Sequence, residues 1–281
     1  STEWNGGLPG SGSMGVLYFS GLVGERDYSR VTLQVNETFT IVGNGRFVYE
    51  GVATGDAQID LGDVVFQNNV TSEGEPMTPM FSLGTAVSGD VEHRVKLRSI
   101  QSEAANSSGV TVTGGATLEL YGDTPSEPKD YRFYGEIQET TRLEKTGSNT
   151  QILSRSGGNS YSGGTLISAG TLMVENSTGS GLGTGSVTVE GTGTLGGKGR
   201  IALATQETIT VKSGGTLAPG KDGEVFNTLR IVTAAGSTAP TLSMEEGSRF
   251  SFTIGEGNVS SAIEFLNYTS GALALASGGI E

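Results

Sequence analysis

Three segments of this chain share one pattern: an alternating β-branched run, a glycine turn, then Gly-Thr-Leu. They read Ile167-Ser-Ala-Gly170-Thr171-Leu172, Val187-Thr-Val189-Glu-Gly-Thr-Gly193-Thr194-Leu195 and Ile209-Thr-Val211-Lys-Ser-Gly-Gly215-Thr216-Leu217. The closing leucines fall 23 and then 22 residues apart. A looser copy, Val110-Thr-Val112-Thr-Gly-Gly115-Ala-Thr117-Leu118, lies upstream. A strand this short cannot bury a face alone. Coils that recur every ~20–25 residues bury their faces by stacking.

Alternation with period 2 recurs outside the repeats, in Val31–Val35, Phe47–Tyr49, Ile59–Leu61, Thr228–Ile231 and Arg249–Ile254. Each run is bounded by Gly, Asn, Asp or Ser, as strands are. No stretch combines a 3.6-residue period with helix caps. The expected fold is therefore all-β, a single-stranded parallel β-helix, less regular in its N-terminal half. Such a solenoid needs small residues at its corners, and the 46 glycines among 281 residues supply them. At ~22 residues per coil and ~4.8 Å per step, the chain would make about 12 coils and a rod of about 60 Å. A β-sandwich is the alternative, but its strands would recur every ~8–12 residues.

Two regions of different texture are expected, irregular coils with loops or a cap over 1–140 and regular coils over 141–281. The first holds 13 of the 19 aromatic residues and two proline-containing insertions, Thr71–Pro79 and Asp123–Asp130. Charge is uneven too. Residues 1–149 carry a net charge of -10 and residues 150–281 a net charge of -3, for -13 overall. A chain this acidic repels phosphate backbones and anionic lipid, so no nucleic-acid partner is expected. With no cysteine, disulfides and thiolate metal sites are excluded. No apolar run reaches the ~18 residues of a membrane helix. The start Ser1-Thr2-Glu3, without methionine or signal sequence, suggests a segment of a longer polypeptide.

Residues 143–172 carry a denser motif: Leu143-Glu-Lys145-Thr-Gly147, then Asn159-Ser-Tyr161-Ser-Gly163-Gly164-Thr165, then Gly170-Thr171-Leu172. This resembles the bacterial autotransporter-associated β-strand repeat, also called the passenger-associated transport repeat. The continuation Gly181-Leu182-Gly183-Thr-Gly185-Ser-Val187-Thr-Val189 is similar to that family's next strand, and Gly214–Gly220 to its closing turn. Two departures stand out. Asn149 occupies a position where the family has a second glycine, and Arg155–Gly158 is a short insertion. The resemblance implies a right-handed β-helical segment of a large bacterial surface or secreted protein. In that family the repeat aids export and folding and does no chemistry.

Other candidates each have a plainer explanation. Gly10-Ser-Gly12-Ser-Met-Gly15 and Gly191-Thr-Gly193-Thr-Leu-Gly196 match a dinucleotide pattern, but neither precedes a helix that could hold a pyrophosphate. His93 is the only histidine, which rules out a multi-histidine metal site. Alternation puts it on the apolar side of its strand with Val91, Val95 and Leu97. Arg94, Lys96 and Arg98 face the other way and, with Asp56, Asp60 and Asp63, would make the basic and acidic sets of a polysaccharide lyase. A solvated strand face explains them equally well. Tyr131, Phe133 and Tyr134, with Trp4, would make a sugar-stacking platform or pack in the core. Asn-x-Ser/Thr sequons begin at Asn36, Asn69, Asn106, Asn176, Asn258 and Asn267. The calcium-binding nonapeptide repeat is missing, and Lys221-Asp222-Gly223 reads as a turn.

The resulting expectation is a non-enzymatic β-solenoid, extracellular or on the outer surface of a bacterium, acting as a stalk or adhesin-like passenger segment that displays binding loops. No catalytic, cofactor or metal residues are assigned. The structural repeat residues are Gly170, Leu172, Gly193, Leu195, Gly215 and Leu217. A glycan or a host or cell-surface protein would be the partner. A polysaccharide lyase or hydrolase on a β-helix, and a glycan-binding module without turnover, are the alternatives.

Overall fold

The computed structural model describes residues 2–5, 16–19, 32–42, 46–49, 58–67, 79–83, 94–102, 109–122, 130–220, 227–238, 241–256, 259–268 and 271–275. Among them there is no α-helix, and strands stack in parallel into three faces. The first face is carried by an eleven-stranded sheet that runs from Thr2–Asn5, paired with the far end of the long strand Thr32–Val42, to Leu273–Leu275. The second has six strands, from Asp130–Phe133 to Arg249–Phe250. The third is divided between a five-stranded sheet, Val16–Phe19 to Glu136–Ile137, and a three-stranded sheet, Arg200–Ala202 to Ala262–Leu266. Only the small hairpin of Ile254–Gly255 and Val259–Ser260 pairs antiparallel among the described strands. The chain is a parallel β-helix.

The repeat period is the step from one coil to the next. Thr165 lies opposite Val187, and Val187 opposite Ile209. After the corner, Leu172 lies opposite Leu195, and Leu195 opposite Leu217. Each Gly-Thr-Leu therefore starts the second face, while the β-branched run before it belongs to the first. All three leucines are fully buried. Two expectations need correction. The looser copy is displaced by one face, because Val112 lies in the third face and Leu118 pairs with Leu143 in the first. The count of about 12 coils is also too high. Gln58 advances to Arg94, and Ile209 to Leu242, so some coils outside the repeats are longer. Ten steps join the eleven strands of the first face, a length of about 48 Å.

Inward side chains form columns along the rod. One column in the first face runs Val95, Leu118, Leu143, Thr165, Val187, Ile209 and Leu242; its neighbour runs Leu97, Leu120, Lys145, Ile167, Val189, Val211 and Met244. Stacking like on like keeps the interior close-packed at every step, which is the main source of stability in a fold of this kind.

The first face passes residue 140 without interruption, since Thr117–Leu120 pairs with Arg142–Lys145. Texture changes in the second face. Thr32–Val42, Gln58–Gln67 and Arg94–Ser102 are long strands, whereas later coils have a short strand, a corner and a second short strand.

Candidate functional site

The densest motif, residues 143–172, forms one coil and the start of the next, and its marked residues turn inward. Leu143 and Lys145 point into the core, with Glu144 outward between them. Lys145 is 2 % exposed in a column of aliphatic residues. Its Nζ donates to the carbonyl of Gly147, at the corner where the chain leaves the first face. That interaction serves a carbonyl which the tight turn leaves without a strand partner. Gly170 sits above the same corner at φ +63°, where a side chain's Cβ would lie 2.1 Å from the Gly147 carbonyl oxygen.

Asn159 joins three coils. Its Oδ1 accepts from the Ile137 amide of the preceding coil at 2.9 Å, and its Nδ2 donates to the Gly181 carbonyl of the following coil at 2.7 Å. The side chain replaces a ladder bond on the third face, where the five-stranded sheet has ended and the three-stranded sheet has not begun. Asn176 does the same one coil later, accepting from the Arg200 amide at 3.0 Å and donating to the Arg200 carbonyl at 2.9 Å. Tyr161 is fully buried, its hydroxyl 2.7 Å from Thr165 Oγ1. Burial pushes the Tyr161 phenol well above its ordinary range, so it stays neutral. Gly183 packs on the backbone of this residue, where a Cβ would lie 2.1 Å from the Tyr161 carbonyl oxygen.

Outward charges form ladders between coils. Arg94 Nη1 reaches Glu119 Oε2 at 3.0 Å and Glu144 Oε2 at 2.5 Å, Arg142 Nε reaches Glu144 Oε1 at 2.9 Å, and Lys96 Nζ lies 3.5 Å from Glu119 Oε2. Burial would raise the Glu144 pKa, but hydrogen bonds from Arg142 and Arg94 outweigh it and hold the carboxyl below its ordinary range. Glu144 is therefore ionised at neutral pH and offers no proton to a leaving group. Arg98 pairs with Asp63 at 2.9 Å, and Asp63 also accepts from Ser99 Oγ at 2.6 Å. Tyr121, hydrogen-bonded to Asp60, is pushed up to about 12 by burial and by that carboxylate.

Of the residues considered for a lyase, Arg98 and Asp63 thus pair between coils, whereas Arg94 and Lys96 lie against Glu119 and Glu144 instead. Asp56 and His93 lie outside the described residues. Tyr131 and Phe133 are core residues, with Phe133 fully buried, so they make no sugar platform. Tyr134 is half-buried, its ring centroid 5.9 Å from the Arg132 guanidinium. Gly191–Gly196 forms a corner and the start of the strand Thr194–Gly197, with no helix after it. Asn176 is buried and bonded, and Asn267 is exposed. The side chains of Trp4 and Asn36 lie outside the described residues, as do Gly10–Gly15, Asn69, Asn106, Lys221–Gly223 and Asn258. Among the described residues, no group of three or more His, Asp or Glu side chains is arranged to hold a metal ion, and no helix is long and apolar enough to cross a membrane.

One residue of consequence, Gln151, carries no sequence signal. It points into the core between Tyr131 and Leu172, where the alternation predicts an aliphatic side chain, and it bonds to the backbone of Ile100.

Comparison with known proteins agrees with where the motif lies. No curated protein and no solved structure matches the chain. Residues 143–174, the coil stitched by Lys145, Asn159 and Tyr161, match the passenger-associated-transport-repeat family.

Proposed function

We propose that this chain is a non-catalytic segment of a bacterial surface or secreted passenger, a stiff spacer that presents loops to a glycan or protein partner. The observation that carries this reading is the direction of the repeat's marked residues. Lys145 and Tyr161 turn inward to hold corners of one coil, and Asn159 and Gly170 fit that coil to its neighbours, so the motif builds the rod and offers nothing to a substrate. Outward cations on the first face are engaged in the same way, each with a carboxylate within 4 Å. A bound polyanion would have to displace those carboxylates.

Two assays on the full chain test it. Incubation with neutral and acidic polysaccharides, with and without calcium, should yield no new reducing ends and no unsaturated products. Turnover that survives repurification would overturn the spacer reading. A glycan array probed under the same conditions then separates recognition of a glycan, seen as saturable binding, from display toward a protein.

A further inference from the structure

The second face contains a joint. The end of the strand Arg94–Ser102 pairs with Asp63–Phe66 on one side and packs against Asp130–Phe133 on the other. On that other side no ladder forms, and the six-stranded sheet starts afresh at Asp130–Phe133. Side chains seal the gap. The Ile100 amide donates to Gln151 Oε1 at 3.2 Å, and Gln151 Nε2 donates to the carbonyls of Ile100 at 2.9 Å and Tyr131 at 3.1 Å. The carboxamide thus takes the place of a neighbouring strand's peptide group. Nearby, the Tyr134 amide donates to Ser102 Oγ at 2.8 Å.

The other two faces cross this point intact. Arg94–Leu97 stays in register with Thr117–Leu120 on the first face, and on the third Met80–Ser82 leads through Thr111–Thr113 to Glu136–Ile137. A buried polar atom without a partner lies here as well: Arg98 Nε makes no hydrogen bond.

We infer that this joint is a hinge, at which the second face opens between Ser102 and Asp130 while the first and third faces hold. Opening breaks no backbone ladder. Each of the three bonds lost, two from Ile100 to Gln151 and one from Tyr134 to Ser102, has a side chain at one end, and the unpartnered Nε of Arg98 gains water as it proceeds. The hinge would let the coils before it change direction relative to the repeat-bearing stack. This inference does not depend on what the chain binds.

Hydrogen–deuterium exchange on the full chain tests it. Segments containing Ile100 and Tyr134 should exchange at least about tenfold faster than the segment containing Leu195, as fits the loss of one net hydrogen bond. Gln151→Leu should speed exchange over 94–102 and 130–137 by a further factor of about ten, leaving 187–197 unchanged. Ser102→Ala, a milder change, should speed it around Tyr134 alone. Equal protection of the joint and of 187–197 in the unaltered chain would overturn the inference. So would an acceleration in Gln151→Leu or Ser102→Ala that spreads evenly over the whole chain.

Discussion

The ammonium of Lys145 lies 2.9 Å from the point where a Cβ on Gly170 would stand, so the two residues, in successive coils, shape one corner together. The lysine fills the turn from below, and the glycine lets the next coil close over it. Gly170→Ala should cost about 2–4 kcal/mol, because alanine meets both a left-handed backbone and the Gly147 carbonyl. Lys145→Met should cost no more than about 1–2 kcal/mol, since a hydrophobic side chain of similar length replaces a buried charge. Denaturant unfolding of both variants checks the order. A larger loss from the methionine would show that the ammonium, and not the space, holds the corner.

Asn159 can be tested by chemistry at constant size. Asn159→Asp keeps the acceptor for the Ile137 amide and loses the donor to the Gly181 carbonyl, placing an oxygen against an oxygen. Both this variant and Asn159→Ala should lower stability by about 2–4 kcal/mol, the cost of buried backbone groups left unpaired. The aspartate should recover part of its loss below pH ~4, where protonation restores a donor, and the alanine should not. Thermal melts at pH 7 and pH 3.5 make the comparison.

Stability should fall at both ends of the pH scale for different reasons. Glu144 has a folded pKa below its unfolded value of ~4.3, so its contribution is complete above that value and disappears as pH falls through the folded one. Tyr161 and Tyr121 have folded values above the unfolded ~10, so their contribution is complete below pH ~10 and is lost as pH rises through the folded range. Glu144→Gln should flatten the acid limb, and Tyr161→Phe part of the alkaline one. Phenolate absorbance during alkaline titration should show these two tyrosines ionising last, or only with unfolding.

Much of the fold was legible because a solenoid writes its geometry as a period. Leu172, Leu195 and Leu217 recur at the step of the helix, and their glycines mark its corners. Leu118 misled for a physical reason: a Gly-x-Thr-Leu turn suits any corner, and local sequence does not say which two faces meet there. The coil count failed because insertions lengthen a coil without adding a step, as between Gln58 and Arg94. At the site, the roles of Asn159 and Lys145 were invisible even though their motif was plain. Each side chain replaces a backbone bond whose absence only the assembled sheets reveal. Gln151 is the extreme case, a polar residue in an aliphatic column whose partner, Ile100, lies two coils away.

The most direct test of one continuous stack uses the absence of native cysteine. Lys96 and Ser243 face outward in a single column of the first face, through Glu119, Glu144, Leu166, Thr188 and Thr210. Spin labels on Lys96→Cys and Ser243→Cys are six steps apart, and pulsed dipolar spectroscopy should give a separation centred near about 29 Å, the sum of six inter-strand spacings. A centre below about 20 Å, or two well-separated populations of comparable size, would contradict the single parallel stack on which the spacer reading rests.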